Sequence, residues 1–234
     1  MTAPVGMVNF RSLVPPEAWR DLVDRGRRRT YQRGSLLLRQ GESPDSVIAL
    51  VEGQVRVSQL NERGDELVLM LRGPGELLGE MGILVGRPRS ASVTAAQRCV
   101  GMVLPAHAFR GYVDRHGLQA VIYQLTVERL NSHERLRVGL LHSSPVARIA
   151  SVVSLLAEEL GRPDGDAVVV DLGVARAELA AMAAMKRSSA AAALRSLQAA
   201  GVLSLARRRL IVTDPGQLAA AARGEAYGRA PDVL

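Results

Sequence analysis

The chain has one cysteine, Cys99, in 234 residues. A lone thiol cannot close an intrachain disulfide or supply the several thiolates that an iron–sulfur cluster usually takes, so a reducing cytoplasm is the expected setting. Histidines are few, and His107, His116, His133 and His142 form no tight ligand spacing with Cys99, which leaves no expected metal or heme site. No apolar run approaches the roughly 20 residues of a membrane span, and Met1 to Phe10 lacks a basic stretch followed by a long apolar one. Neither a membrane partner nor secretion is expected. No Ser, His and acidic residues form a nucleophile motif and no segment is left over for a catalytic domain, so the sequence implies no catalytic residue, no catalytic cofactor and no enzyme. The last shortage is local: between Leu179 and Thr213 there is no Asp or Glu.

Into that acid-free interval fall Lys186, Arg187, Arg195, Arg207, Arg208 and Arg209, within a chain whose net charge is +7. Global charge separates nucleic acid from a membrane surface poorly, but six cations concentrated in one segment favour an anionic partner there. Apolar residues make up 47% of the chain, enough for two domains that each bury a core.

The pattern along the chain changes once. From Tyr31 to about Leu104, short β-rich runs (Val47 to Val51, Gln54 to Gln59, Leu67 to Leu71, Ser90 to Ala95, Cys99 to Leu104) alternate with glycines 34, 41, 53, 64, 73 and 75. That is how an antiparallel roll spells its turns. A short amphipathic helix, Pro15 to Arg25, precedes it with Trp19, Leu22 and Val23 on the buried side. Beyond Pro105, helical spacing continues to roughly Leu141. Leu118, Ile122, Leu125, Leu136 and Leu140 fall on one seam, with Arg129 and Ser132 as its polar members, and this seam packs either on its own domain or as a parallel dimer helix. Ser143, Ser144 and Pro145 mark a hinge. Val146 to Leu160 is a helix, Gly161 to Gly165 a loop, Ala167 to Leu172 a strand, and Val202 to Val212 a hairpin. The expected fold is α+β: a β-roll sensor over 1–109, a central dimerisation helix over 110–142, a winged helix-turn-helix over 143–215, and a tail over 216–234.

Two constellations carry a family resemblance. The first is Tyr31-x-x-Gly34-x-x-x-Leu38-x-x-Gly41-Glu42-x-x-Asp45 followed by Leu50-x-x-Gly53-x-Val55. The second is Pro74-Gly75-Glu76-x-x-Gly79-Glu80-x-x-x-Leu84 followed by Arg87-Pro88-Arg89-Ser90-Ala91. Together they resemble the cyclic-nucleotide-binding domain of the cyclic AMP receptor protein and FNR family, and the resemblance covers nearly the whole chain. Its chemistry stands independently. Gly79 lets backbone approach a ligand, and a helix starting there aims N–H groups at an anion. Arg89 brings a forked, permanently charged donor to a phosphodiester, and Ser90 brings a hydroxyl. Glu80 suits a ribose hydroxyl. The resemblance implies that Gly79, Glu80, Met81, Arg89, Ser90 and Ala91 form the phosphate–ribose cassette, with cyclic AMP or cyclic GMP as effector. A structural ion pair inside the roll is the other reading of Glu80 with Arg89. Where the family has a hydroxyl pair against the purine, this chain has His133 and Glu134, which either bind a purine edge or are solvated helix surface.

Arg176 to Leu197 has the length and apolar rhythm of a helix-turn-helix, with Leu179 and Met182 inward on the first helix, Ala180 at the crossing, and Ala190, Leu194 and Leu197 inward on the second. The turn falls near Ala184 to Lys186, and Leu203 to Val212 reads as a wing. Lys186, Arg187, Ser188 and Ser189 would face base edges, Arg187 occupying the family's principal arginine position. Arg176, Arg195, Arg207, Arg208 and Arg209 complete the expected DNA contacts, Arg195 and the wing arginines on phosphates. The sequence departs from the family's pattern in having Ala184 for the turn glycine and Lys186 for the capping serine. The resulting expectation is a ligand-responsive homodimeric transcription regulator on double-stranded DNA, meeting RNA polymerase at promoters. The alternatives are a regulator of the same family that senses another ligand or none, and a nucleotide-binding or dimerisation module whose helix-turn-helix contacts protein.

Overall fold

The computed structural model describes residues 9–62, 64, 66–141, 144–172, 176–206 and 209–227, without the side chains of Arg176 and Ala177. Ser143 of the expected hinge, and Arg207 and Arg208 of the wing, lie outside the described residues. Two compact units meet in sequence at Leu130 and Asn131.

The first unit opens with α1 (Phe10–Leu13) and α2 (Pro16–Arg25). Asn9 caps α1 reciprocally: its side chain accepts from the Ser12 N–H at 3.0 Å, and the Ser12 hydroxyl oxygen accepts from the Asn9 N–H at 3.0 Å. Helix α2 starts at a proline and buries Ala18, Trp19 and Leu22 on one face. The roll follows as β1 (Arg27–Tyr31), β2 (Leu36–Leu38), β3 (Ser46–Glu52), β4 (Val55–Leu60), β5 (Glu66–Arg72), β6 (Leu77–Leu78), α3 (Glu80–Val85), β7 (Ser92–Ala95) and β8 (Cys99–Pro105). These strands form two antiparallel sheets, ordered β1-β8-β3-β6 and β2-β7-β4-β5. Strand β3 shows why the roll has two cores. Val47 and Ala49 join the helix-side cluster, whereas Ile48 and Leu50 join the cluster between the sheets. Alternation with both faces buried makes the strand read as an unbroken apolar run.

Helix α4 (Ala106–Arg115) is followed by α5 (Gln119–Leu140). The single helix expected beyond Pro105 is therefore two. Gly117, at φ +61°, takes a left-handed turn between them, and the Leu118 N–H closes back on the Val113 carbonyl at 2.9 Å. The seam is also reassigned. Leu118, Ile122 and Leu125 are buried within one chain, packed with Phe10, Trp19, Leu22 and Phe109. The parallel-dimer reading of the Leu118 to Leu140 seam is corrected for these residues, because a spacing reports which face is buried and not against what. The opposite face of α5 leaves Tyr123, Leu130 and Val138 exposed, as is Leu141 just beyond its end.

The second unit contains α6 (Pro145–Leu160), β9 (Gly161–Asp164), β10 (Ala167–Asp171), α7 (Arg176–Met182), α8 (Arg187–Ala199), β11 (Leu203–Ala206), β12 (Arg209–Val212) and α9 (Pro215–Ala222). Segment 161–164, expected as loop, is the edge strand of a sheet ordered β11-β12-β10-β9. Only an edge strand accommodates Pro163, which lacks the N–H a central strand needs. Helix α6 buries nine residues, among them Ile149, Val152, Val153 and Leu156, and is the hub of this unit's core. Among the described residues no helix is long and apolar enough to cross a membrane.

Candidate ligand site and nucleic-acid interface

The cassette is built on β6. Its two leucines pair with β3, Leu78 opposite Ile48 and Leu77 opposite Ala49. Gly79 then turns left-handed, φ 85°, and becomes the N-cap of α3. An added Cβ there would collide with the Arg89 guanidinium and lie 2.9 Å from Leu38 Cδ1. Gly79→Ala is thus expected to destabilise the roll by about 1–2 kcal/mol through backbone strain alone, with displacement of Arg89 in addition. A melting temperature equal to the wild type's would contradict this geometry.

Arg89 is buried, 6% exposed, and its backbone is pinned to the β2–β3 loop by Arg89 N–H to Glu42 carbonyl and Gly41 N–H to Arg89 carbonyl, both 2.9 Å. Its guanidinium donates to the Ser46 carbonyl at 2.8 Å, to Asp45 Oδ1 at 3.2 Å and to the Gly79 carbonyl at 3.4 Å. The Ser46 hydroxyl, and after it Arg89, hold the Asp45 carboxyl below its usual pKa against a partial burial that acts the other way. Asp45 itself stands open, 85% exposed. Ser90 is exposed and its carbonyl accepts from the Gln59 amide at 2.7 Å; Ala91 is half-buried, and Met81 places its sulfur 3.1 Å from the Thr126 hydroxyl. Gly79, Glu80, Met81, Arg89, Ser90 and Ala91 are thus all in one unit, with Gly79 and Arg89 in direct contact.

Glu80 is 2% exposed and is ion-paired to Arg129 of α5. The same guanidinium donates to Glu76 Oε2 at 2.6 Å and to the Leu77 carbonyl at 2.8 Å, and Glu76 Oε1 accepts from Arg72 at 3.2 Å. A buried chain of alternating charge, Arg72–Glu76–Arg129–Glu80, therefore fastens α5 to the cassette. The sequence offered one signal of it, a charged residue on a mostly apolar seam. Partners more than forty residues apart could not be read from spacing. His133, half-buried, and Glu134, exposed, belong to the other compact unit.

In the second unit Leu179, Ala180 and Met182 of α7 and Ala190, Leu194 and Leu197 of α8 are buried as their spacing predicts. Lys186, Arg187, Ser188 and Arg195 are exposed, and Ser189 is half-buried. Lys186 is the N-cap of α8 without a side-chain cap bond. The α7–α8 turn closes with Met185 N–H to the Ala180 carbonyl at 2.9 Å and Ala184 N–H to the Ala181 carbonyl at 3.0 Å. This is the six-to-one and five-to-two pattern that glycine usually completes, and here Ala184 takes it at φ +48°. The left-handed conformation costs an alanine on the order of 1 kcal/mol relative to glycine.

On the wing, Arg209 Nε donates to Asp171 Oδ1 at 2.9 Å, and Arg162 also pairs with Asp171. An interval free of acid in sequence is not free of acid in space, since β10 lies beside β12 with Asp171 opposite Arg209. Burial opposes ionisation of Asp171, and hydrogen bonds from Arg209 and Arg162 nonetheless hold its pKa below the usual value. A separate pocket of about 340 Å3 lies among α5, α6 and α9. Its arginines, Arg135 and Arg223, are already paired with Glu158 and Glu225, so it presents no free charge to an anion. Among the described residues no group of three or more His, Cys, Asp or Glu is placed to hold a metal ion.

Comparison with known proteins agrees with both halves. Residues 28–116 match the cyclic nucleotide-binding domain and residues 147–221 the Crp-like helix-turn-helix domain. The CRP-like cAMP-activated global transcriptional regulator of Mycobacterium tuberculosis is 24% identical, over 82% of this chain and 87% of that protein. The cyclic AMP receptor protein of Thermus thermophilus is 29% identical, over 84% of this chain and 88% of that one. The structure of FixK2 from Bradyrhizobium japonicum superposes with a TM-score of 0.72 at 15% identity, covering 87% of this chain and 99% of that chain, which is a likeness of fold.

Proposed function

The chain belongs to the cyclic AMP receptor protein/FNR family of transcription regulators, and from that premise we propose that it is a homodimeric, cytoplasmic, non-enzymatic regulator that binds a palindromic operator and responds to a 3′,5′-cyclic mononucleotide. The observation that carries the effector reading is Arg89. It is a buried cation whose protein partners are two neutral carbonyls and one open carboxylate, set against a glycine cradle. A phosphodiester supplies the compact anion that this forked donor fits. The name of the Mycobacterium tuberculosis relative specifies activation by cAMP, which supports the same effector class. His133 and Glu134 would meet the purine, a carboxylate suiting the guanine N1–H and amino group. The exposed apolar residues of α5, Tyr123, Leu130 and Val138, would face a second copy of the chain. RNA polymerase is the further partner at promoters.

For DNA, Lys186, Arg187, Ser188 and Ser189 at the start of α8 would read base edges, while Arg176, Arg195, Arg207, Arg208 and Arg209 would meet phosphates. On a duplex selected from random sequences, Arg187→Ala is expected to lose about 1–3 kcal/mol and to lose less on random DNA. Arg195→Ala should weaken both alike and flatten the salt dependence by roughly one unit of slope. Salt titration of mobility shifts distinguishes the two. Identical behaviour would reduce the module to electrostatic binding, and no effect of either would transfer the helix-turn-helix to a protein partner.

One observation favours a second reading. Because Arg129 already holds Glu80, the roll can keep its charges for itself and sense another ligand or none. Thermal shift with cyclic AMP, cyclic GMP and cyclic dinucleotides decides, since a ligand that binds the native state raises its apparent stability. A shift with the mononucleotides supports the first reading, and none with any of the compounds supports the second.

A further inference from the structure

Arg148 is oddly placed for helix α6. It lies in the first turn, where the positive end of the helix dipole disfavours a cation. Its guanidinium instead reaches the turn between α7 and α8, where Nη2 donates to the Ala183 carbonyl at 2.6 Å and to the Ala184 carbonyl at 2.8 Å. Both are carbonyls at the end of α7, where a cation is favoured. Its Nε–H is buried with no acceptor among the described residues, so the side chain is held there at the expense of one unmet donor. Ala184 is in addition the one non-glycine residue with positive φ among the described residues. A strained turn and a misplaced cation therefore meet at the same two carbonyls.

We infer that Arg148 is a positioning residue for DNA reading: its guanidinium clamps the left-handed Ala184 turn and so fixes the direction in which α8 leaves α7. The clamp does what glycine does in a turn of this kind by another route. Glycine removes the strain, whereas Arg148 ties the strained conformation down from outside. Arg187 begins α8 three residues after Ala184, so the angle of that turn sets where its side chain meets a base edge. The first turn of α6 and the α7–α8 turn consequently behave as one body. This inference rests on the reading of α8 as the helix that meets DNA.

The test uses the full chain and a duplex selected by the wild type from random sequences. Wild-type, R148M, A184G and R148M/A184G proteins are compared on that duplex and on random DNA, with circular dichroism to establish that each is folded at the assay temperature. R148M is expected to lose about tenfold on the selected duplex and less than about twofold on random DNA, because phosphate contacts tolerate a tilted helix better than base contacts do. A184G alone should stay within about twofold of wild type on both duplexes, and added to R148M it should restore most of the loss, since glycine holds the turn without a clamp. If the arginine is purely stabilising, its loss in R148M would lower the melting temperature and leave the ratio of selected to random affinity unchanged. That result, or a double variant no better than R148M, overturns the inference. If R148M melts below the assay temperature, R148K replaces it: an ammonium that keeps one carbonyl should lose about threefold on the selected duplex, and an unchanged ratio again overturns the clamp. A wild type that selects no duplex defeats the DNA reading itself, a failure distinct from any behaviour of the variants.

Discussion

Arg89→Gln is expected to remove measurable cyclic-nucleotide binding while leaving a folded roll. Losing one charged partner of a buried phosphate costs roughly 2–5 kcal/mol, which is about thirtyfold to several thousandfold in affinity. The structure explains why glutamine is a poor substitute. The guanidinium spans Ser46, Asp45 and Gly79 at once, whereas an amide is shorter, uncharged and has two N–H bonds. The backbone of residue 89 should hold its place, because its hydrogen bonds to Gly41 and Glu42 do not depend on the side chain. Calorimetry with cyclic AMP and cyclic GMP measures the loss. Equal affinity in wild type and variant would remove Arg89 from the ligand site, and a wild type that binds neither nucleotide would promote the regulator that senses something else.

The second large effect separates the two faces of α5. Leu125 is 2% exposed and lies in the cluster with Phe10, Trp19 and Phe109, so Leu125→Asp places an unpaired charge in the core of its own chain. A loss of more than about 3 kcal/mol and a steep fall in melting temperature are expected. Leu130 is 56% exposed, and Leu130→Asp should leave the melt of the isolated chain nearly unchanged while light scattering reports a monomer. If Leu125→Asp gives a stable monomer instead, the Leu118 to Leu125 seam is intermolecular after all. If Leu130→Asp remains dimeric, another surface joins the copies.

The strands with runs of Val, Ile and Leu were legible because apolar alternation bounded by glycine has few other meanings, and β3, β4, β5, β7 and β8 lie where those runs predict. Strand β1 was not, since Arg27, Arg28 and Arg29 fill three of its five positions and its side chains are mostly exposed. It is a strand because it pairs with β8 along its whole length, a fact of tertiary structure. The helix-turn-helix was legible to the residue on its buried faces, because small and apolar side chains recur there at helical spacing. The site divides in the same way. Gly79 and Arg89 belong to a local motif and are in contact, as the sequence could anticipate, whereas the ion pair it offered between Glu80 and Arg89 is replaced by one between Glu80 and Arg129. Arg129 with Glu76, Asp171 with Arg209, and Arg148 with Ala184 are pairings between distant elements, and nothing in a single sequence connects them.

Among the described residues the largely buried Arg72–Glu76–Arg129–Glu80 chain holds two charges of each sign, and this parity restricts how the four positions can diverge. Any single neutral replacement leaves an odd charge in a site from which water is largely excluded, and breaking one partner of such a pair typically costs about 3–5 kcal/mol. Two neutral replacements of opposite sign leave none, so a double change can be tolerated where either single change is not. Matched changes are therefore expected to be easier for these residues than single ones, each of which passes through an intermediate less stable than either end. The same barrier opposes gradual loss of the attachment of α5 to the cassette, while the exposed side chains on the opposite face of that helix carry no such charge parity.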